Sequence, residues 1–240
     1  MMDKKKFKQP PKRFQPRGIT VLYEDHDIIV VDKASGLLTV SNEKVRENTA
    51  YYWLTHYVRK GNAKSKHRLF IVHRLDKSTS GVLIFAKTEK AKRHLQEEWH
   101  GFKKIYHAVV HGEMPQQKGV ITSYLTENSV HKMYSTKDPT KGEFASTGYT
   151  VLRQSTKYSL LEIELHTGKK NQIRVHMADN DCPVAGDKKY GDGRKGCRRL
   201  ALHSSSLSVT HPHNKEPMTF TSRMPRMFET MVKEKRDSDK

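Results

Sequence analysis

The sequence predicts an α+β fold, and three observations carry that prediction. Short runs rich in β-branched and aromatic residues recur between Gly, Ser, Asn and Asp turn signals. Only a few stretches place apolar residues at helical spacing. Strands and helices do not alternate strictly, which points to mixed or antiparallel pairing.

The elements follow in chain order. Residues 1–17, MMDKKKFKQPPKRFQPR, offer almost nothing to bury and read as a mobile basic arm. Folded sequence begins near Ile19, where the run Ile28 to Val31 predicts a strand that ends in a turn at Ser35-Gly36. Thr49 is placed to cap a helix over AYYWLTHYVRKG that Gly61 stops, and GNAKSKH is a polar loop. Strands are predicted at Leu69 to Val72 and Val82 to Ala86, then a helix from Glu89 through Trp99 that stops at Gly101. KKIYHAVVHGEM, KGVITSYL, STGYTVLRQ and YSLLEIELHTG read as further strands of a mainly antiparallel sheet. Between them TENSVHKMYSTKDPTKGEF is an exposed insertion or long hairpin. A third helix starts near Asn171, loop and strand resume after it, and a short helix spans about Pro225 to Lys233. One domain over 18–230 with a charged tail at 231–240 is the expected organisation.

Composition narrows the partners. The formal charge of the 240 residues is +19, so a polyanion is expected: RNA, DNA or an acidic membrane surface. No apolar run approaches the ~20 residues of a membrane span, and no apolar segment follows the N-terminal lysines. A cytoplasmic chain without membrane or signal segment is expected. Cys182 and Cys197 form neither a zinc-type arrangement nor a disulfide framework and are expected to be reduced. The 14 histidines include no His-Glu-x-x-His, so no metal site is assigned. Gly168-Lys169-Lys170 lacks the spacing of a phosphate loop, and His73-Arg74-Leu75-Asp76 lacks the companions of a kinase loop.

Three stretches are chemically dense: HRLDKSTSG at 73–81, KKIYHAVVHG at 103–112 and HTGKKNQIRVHMA at 166–178. Taken singly, each has an ordinary explanation. Asp76 can brace a turn, Tyr106 can be a core aromatic, and Arg174 can be a solvated cation or a phosphate contact.

Together they resemble the RluA-type pseudouridine synthases. His73, Arg74, Leu75, Asp76, Thr79, Ser80 and Gly81 match the family's first motif, and Lys104-Ile-Tyr106 its second. Thr167, Gly168, Gln172, Ile173, Arg174 and His176 match its third, with Lys169 in place of the usual arginine and Asn171 in place of the usual histidine. Gly186-Asp187-x-x-Tyr190-Gly191 and Leu200-Ala-Leu-His203 are similar to later segments of the family. The resemblance covers about Ile19 to Phe228.

It implies a bent, mixed but mostly antiparallel sheet with flanking helices and a central active-site cleft, and isomerisation of uridine to pseudouridine in structured RNA. Ribosomal RNA is the preferred target and transfer RNA the second. The reaction changes no redox state and consumes no second substrate, so no cofactor is expected. Asp76, Tyr106 and Arg174 are the implied catalytic residues. Asp76 meets the positive charge that develops on the sugar, as carboxylates do in glycoside chemistry. Arg174 favours its ionised form, and Tyr106 stacks on the base and helps remove its extra ring proton. Arg74 is implied to fill the gap left by a flipped nucleotide, while Lys77, Lys169 and Lys170 hold phosphates. Lys104, Gln172 and Ile173 complete the implied substrate-binding set. Many relatives carry a small RNA-binding domain ahead of the catalytic core, and the chain reads as a short form in which the basic arm stands in its place. A monomer is the default expectation. Rival readings are an inactive RNA-binding module and an RNA-directed hydrolase; the intact Asp76, Tyr106 and Arg174 set disfavours the first, and the lack of paired acid and base residues or a metal cluster disfavours the second.

Overall fold

The structure, a computed structural model, describes residues 15–43, 45–60, 62, 64–194 and 196–233. The basic arm up to residue 14 and tail residues 234–240 lie outside the described residues. The described residues form two compact units, those up to Phe102 with Ser206–Ser222 and Lys103–Ser205 with those from Arg223 onward.

In the first unit the β-branched runs become strands because both of their faces are covered. Strand β1 (Ile19–Glu24) pairs antiparallel with β2 (Ile28–Lys33), and β2 pairs antiparallel with a later strand, Ser80–Ala86. Every residue of Ser80–Ala86 is buried, which explains why it reads as a continuous apolar run and not as alternation. Between them lie helix α1 (Ala50–Val58) and the two-residue strand β3 (Phe70–Ile71); Ser80–Ala86 is therefore β4, and β3 pairs with it. Helix α2 (Glu89–Glu97) follows.

Both helices start at a threonine cap, of which Thr49 is expected from sequence. Thr49 accepts a hydrogen bond from the Tyr52 amide and Thr88 one from the Ala91 amide, each at 3.1 Å. Leu54 of α1 is buried and Tyr51 packs on Phe85, while Ala91 and Leu95 of α2 join Ile28, Val30, Val82 and Ile84 in one apolar cluster. Burying each such aliphatic side chain stabilises the fold by about 1.5–3 kcal/mol. A hairpin made late in the chain completes that cluster. Strand β10 (Leu202–Thr210) enters this unit from Ser206 onward and pairs with β11 (Pro217–Thr221), contributing Leu207, Val209 and Phe220. Nothing in the local pattern of the sequence predicts β11.

The second unit holds β5 (Lys103–His111), β6 (Lys118–Glu127), β7 (Met133–Thr136), β8 (Glu143–Gln154) and β9 (Tyr158–Leu165). They pair antiparallel in the order β5-β9-β8-β6-β7. The stretch expected as an insertion or long hairpin thus carries β7, which is zipped onto β6. Helix α3 (Gln172–Asp179) packs on β6, β7 and β8, and the short α4 (Arg226–Met231) on β5 and β9. Mostly antiparallel pairing with few helices is the expected α+β architecture. Among the described residues no helix is long and apolar enough to cross a membrane.

One buried cation ties the first unit together. Lys33, fully buried at the end of β2, donates to the carbonyls of Leu37 at 2.8 Å, Ala34 at 3.0 Å and Lys77 at 3.4 Å. The 34–39 and 73–79 loops are stitched further by Gly36 N–H to Lys77 O at 2.7 Å and the Ser35 hydroxyl to Ser78 O at 2.7 Å. Thr39 Oγ1 donates to Leu75 O at 2.7 Å and accepts from Leu75 N–H at 3.1 Å. An unsatisfied buried polar group costs about 1–3 kcal/mol. Lys33→Met, which leaves these carbonyls without their donor, is expected to lower unfolding stability by about 3 kcal/mol. Urea titration of wild type and variant measures it, and a change within about 0.5 kcal/mol would contradict the role.

Candidate active site

Asp76 sits on the braced 73–79 loop of the first unit, half-buried, and its carbonyl accepts the Thr79 amide at 3.1 Å. The loop is anchored on either side of it. His73 Nε2 accepts the Ile84 amide at 3.2 Å, and its ring packs on Trp99 with centroids 4.4 Å apart. Leu75 is buried against Thr39, whereas Arg74 and Lys77 on either side are exposed. The stretch therefore presents one carboxylate between two exposed cations on a loop that has little freedom to move.

In the second unit, register decides which residues share a face. Tyr106 stands opposite Ile163, which stands opposite Tyr149. Thr147, two residues before Tyr149, faces the same way and bonds α3 through both Gln172 Nε2 at 2.8 Å and His176 Nδ1 at 2.9 Å. Tyr106, Lys104 and helix α3 thus lie on one face of the sheet. Lys104 is buried there, and desolvation pushes its ammonium below the usual lysine range against the opposing pull of Glu164.

Arg174, on the first turn of α3, is seated by groups to which the sequence alone assigns no role. Its Nε donates to Asp187 Oδ2 at 2.7 Å and its Nη2 to Asp187 Oδ1 at 2.8 Å, a bidentate pair. The Asp187 side chain has no exposure, and it also accepts the amides of Lys189 at 2.8 Å and Tyr190 at 3.1 Å. Burial pushes the Asp187 carboxyl up, but Arg174 and the two amides outweigh it and hold it below the usual carboxylate value. The guanidinium lies over the Tyr190 ring at 5.0 Å, while the Tyr190 hydroxyl donates to Asn171 Oδ1 at 3.2 Å and accepts the Met133 amide at 3.1 Å. Gly186 lets the Arg199 backbone lie close against the start of this loop. Its φ is +74°, and a Cβ there would fall 2.1 Å from the Arg199 carbonyl oxygen. The signal available in sequence was the Gly-Asp-x-x-Tyr-Gly spacing itself.

The loop before α3 changes several expectations. Gln172 is buried, accepts from Thr167 Oγ1 at 2.8 Å and Lys169 N–H at 2.9 Å, and donates to Ser146 O at 3.0 Å and Thr147 Oγ1 at 2.8 Å. These bonds use its whole amide capacity, so it braces the loop and has none left for substrate. Ile173 is likewise buried. Lys169 is ion-paired to Glu143 at 3.0 Å and Lys170 to Glu127, so both cations meet carboxylates before any phosphate. Asn171, where the resembled motif has histidine, adopts φ 54°, a left-handed conformation that asparagine tolerates well.

Residues 27–179 match the family model described as RNA pseudouridylate synthase. The chain belongs to that family. Among curated relatives it is 34% identical over 200 residues to the uncharacterized RNA pseudouridine synthase YhcT of Bacillus subtilis (strain 168), covering 81% of this chain and 65% of that one. It is 33% identical over 225 residues to ribosomal large subunit pseudouridine synthase D of Neisseria meningitidis serogroup A, covering 88% of this chain and 59% of that one. The chain thus spans under two thirds of the length of these two relatives. Human RNA pseudouridylate synthase domain containing 4 shares the fold, with a TM-score of 0.71 at 24% identity over 88% of this chain and 91% of that one.

Two groups give this family member a two-stage response to acid. Burial lowers the His176 pKa to about 4, and Asp179 only partly opposes it; both ring nitrogens are bonded, to Thr147 Oγ1 and Ser123 Oγ, each at 2.9 Å. The unfolded chain with a histidine pKa of about 6.5 binds the proton more readily, so stability is full above pH 6.5 and falls towards pH 4, by about 2 to 3 kcal/mol. Asp187 has the opposite character: its folded pKa is depressed, so its contribution is present above about pH 4 and lost as pH falls through the folded value. Urea titrations from pH 7.5 to 3.5 should show the first slope. Asp187→Asn should cost about 3 kcal/mol at pH 7, a difference from wild type that narrows only below about pH 4. A constant difference down to pH 3 would contradict the assignment.

Proposed function

We propose that this chain isomerises specific uridines to pseudouridine in large-subunit ribosomal RNA, with Asp76 as the central catalytic residue. The observation that carries the reading is the placement of a single carboxylate, between Arg74 and Lys77, on a loop fixed by Lys33, Thr39 and His73. Family membership and the ribosomal large subunit named for relatives such as the Neisseria enzyme support it further.

The chemistry is an internal rearrangement. The bond from ribose C1′ to uracil N1 breaks, the base turns, a bond forms from C1′ to C5, the C5 proton leaves and N1 gains one. Scission builds positive charge on the sugar. A carboxylate beside C1′ can stabilise that charge, attack it, or remove a neighbouring sugar proton, and Asp76 is assigned this role. Arg174, held in a fixed pose by Asp187 and Tyr190, is assigned its catalytic part by the family resemblance. Tyr106 stacks on the base and assists loss of the C5 proton. A stacked uridine cannot reach a recessed group, so the nucleotide is flipped out and Arg74 occupies the gap.

Incubation of the protein with large-subunit rRNA and with total tRNA, followed by pseudouridine mapping, tests the reading. Wild type is expected to modify a small set of rRNA uridines. Asp76→Asn should form no detectable pseudouridine, and Tyr106→Phe, which keeps the ring but not the hydroxyl, should be slower by roughly 10²–10⁴-fold. Pseudouridine at wild-type rates from Asp76→Asn, or none from wild type on either RNA, would overturn it; modification confined to tRNA would move the substrate but keep the reaction.

A further inference from the structure

We propose that the outer face of α1 and the cations that follow it, Lys60, Lys64, Lys66 and Arg68, form a binding surface for the single-stranded RNA flanking the target nucleotide. The inference deepens the activity proposed above, since it concerns the same RNA.

Charge comes first. No Asp or Glu occurs from Asn48 to Leu75, and the stretch contains six Lys and Arg. The loop that carries most of them is built to present them. Arg59 Nε donates to His67 O at 3.0 Å, which closes the loop at its base, and Ser65 Oγ bonds His67 Nδ1 at 2.9 Å. Lys60 takes a left-handed turn at φ 51°. Lys60, Lys64, Lys66 and Arg68 are exposed, and none of them forms an ion pair among the described residues. Lys169 and Lys170, the phosphate holders expected from sequence, are by contrast already matched to Glu143 and Glu127. Glu89 of α2 lines the same depression as Lys66 and Arg68 but is paired with Lys92 at 3.6 Å, so a phosphate approaching the four cations breaks no ion pair of theirs and this loop is the stronger electrostatic partner.

The second observation selects single strands over duplex. Helix α1 turns Ala50, Leu54 and Tyr51 inward, which leaves Tyr52, Trp53 and His56 on the outer face. These rings already contact one another, Tyr52 with Trp53 at 5.3 Å and with His56 at 4.6 Å between centroids. Rings on a helix that leads directly into a loop of cations without ion pairs suit unstacked bases and their phosphates; a duplex offers no free base faces. The surface lies in the same unit as Asp76 and runs towards it along the chain, ending eight residues before it.

The protein has two tryptophans, Trp53 on this face and Trp99 packed against His73 and Phe102, so intrinsic fluorescence reads the proposal directly. A twelve-residue oligouridylate is expected to quench the emission, and a perfect RNA duplex of equal length to do so far less. Trp53→Phe should abolish the quenching and weaken binding about tenfold, the effect of losing roughly 1.4 kcal/mol of stacking. Lys60→Gln with Lys64→Gln and Lys66→Gln should reduce the slope of log affinity against log salt by about 2, and affinity about 100-fold at 0.1 M salt. Thermal melts establish that both variants are folded. Quenching that persists in Trp53→Phe, an unchanged salt slope in the triple variant, or tighter binding of duplex than of single strand would overturn the proposal. Quenching without pseudouridine formation on rRNA would fault the activity and uphold this surface; pseudouridine formation without quenching would do the reverse.

Discussion

A cation can be buried only where acceptors enclose it, and that constraint fixes the loops on which both units depend. Lys33 has given up all exposure, and the carbonyls that receive its ammonium come from two different loops, one of them the loop of Asp76. Arg174 is enclosed by the Asp187 carboxylate and the Tyr190 ring. In each case moving the loop would strand a charge in a poorly solvated place, a cost of several kcal/mol that holds the loop still. Catalytic groups need this rigidity more than they need stability, because a displacement of an ångström at the reacting atoms is expensive in rate.

The sequence was legible wherever local physics decides. β-branched runs, the Thr49 cap and the start of α3 close to Asn171 follow from propensity and hydrogen bonding among near neighbours. It was less legible where a partner far along the chain decides. The stretch holding β7 reads as an exposed insertion or a long hairpin because its alternation is weak, and the antiparallel pairing with β6 decides for the hairpin. β11 depends in the same way on β10. At the candidate site, spaced motifs nominate Asp76, Tyr106 and Arg174, which stand as the proposed catalytic set. Lys33 could not be named in this way, since a lysine after an apolar strand normally turns to solvent, and no local signal marks one that turns inward. Gln172, expected to bind substrate, uses its four amide hydrogen bonds on the loop before α3 and on β8. A matched motif shows that such a residue matters, and only its hydrogen-bond partners show how.

Net charge is a similarly blunt guide. A chain at +19 has cations everywhere, but their availability differs with their neighbours. Glu127 and Glu143 sit beside Lys170 and Lys169, and Lys170 is the main cause of the depressed pKa of Glu127. Lys87 is similarly engaged with Glu24 and the Asp25 carbonyl. Cations engaged in this way shape the local surface, while those left unpaired set its affinity for polyanions.

The chain's path between its units has a consequence for synthesis. It leaves the first unit after Phe102, returns to it at Ser206 and leaves again after Ser222. Leu207, Val209 and Phe220, which finish the first apolar cluster, are therefore translated after nearly all of the second unit, and α4, which packs on β5 and β9, later still. A nascent chain cannot complete one unit and then the other in N- to C-terminal order. Ribosome-bound fragments ending before residue 206 would carry β2 and β4 with an open apolar face, dependent on shielding until the last hairpin emerges.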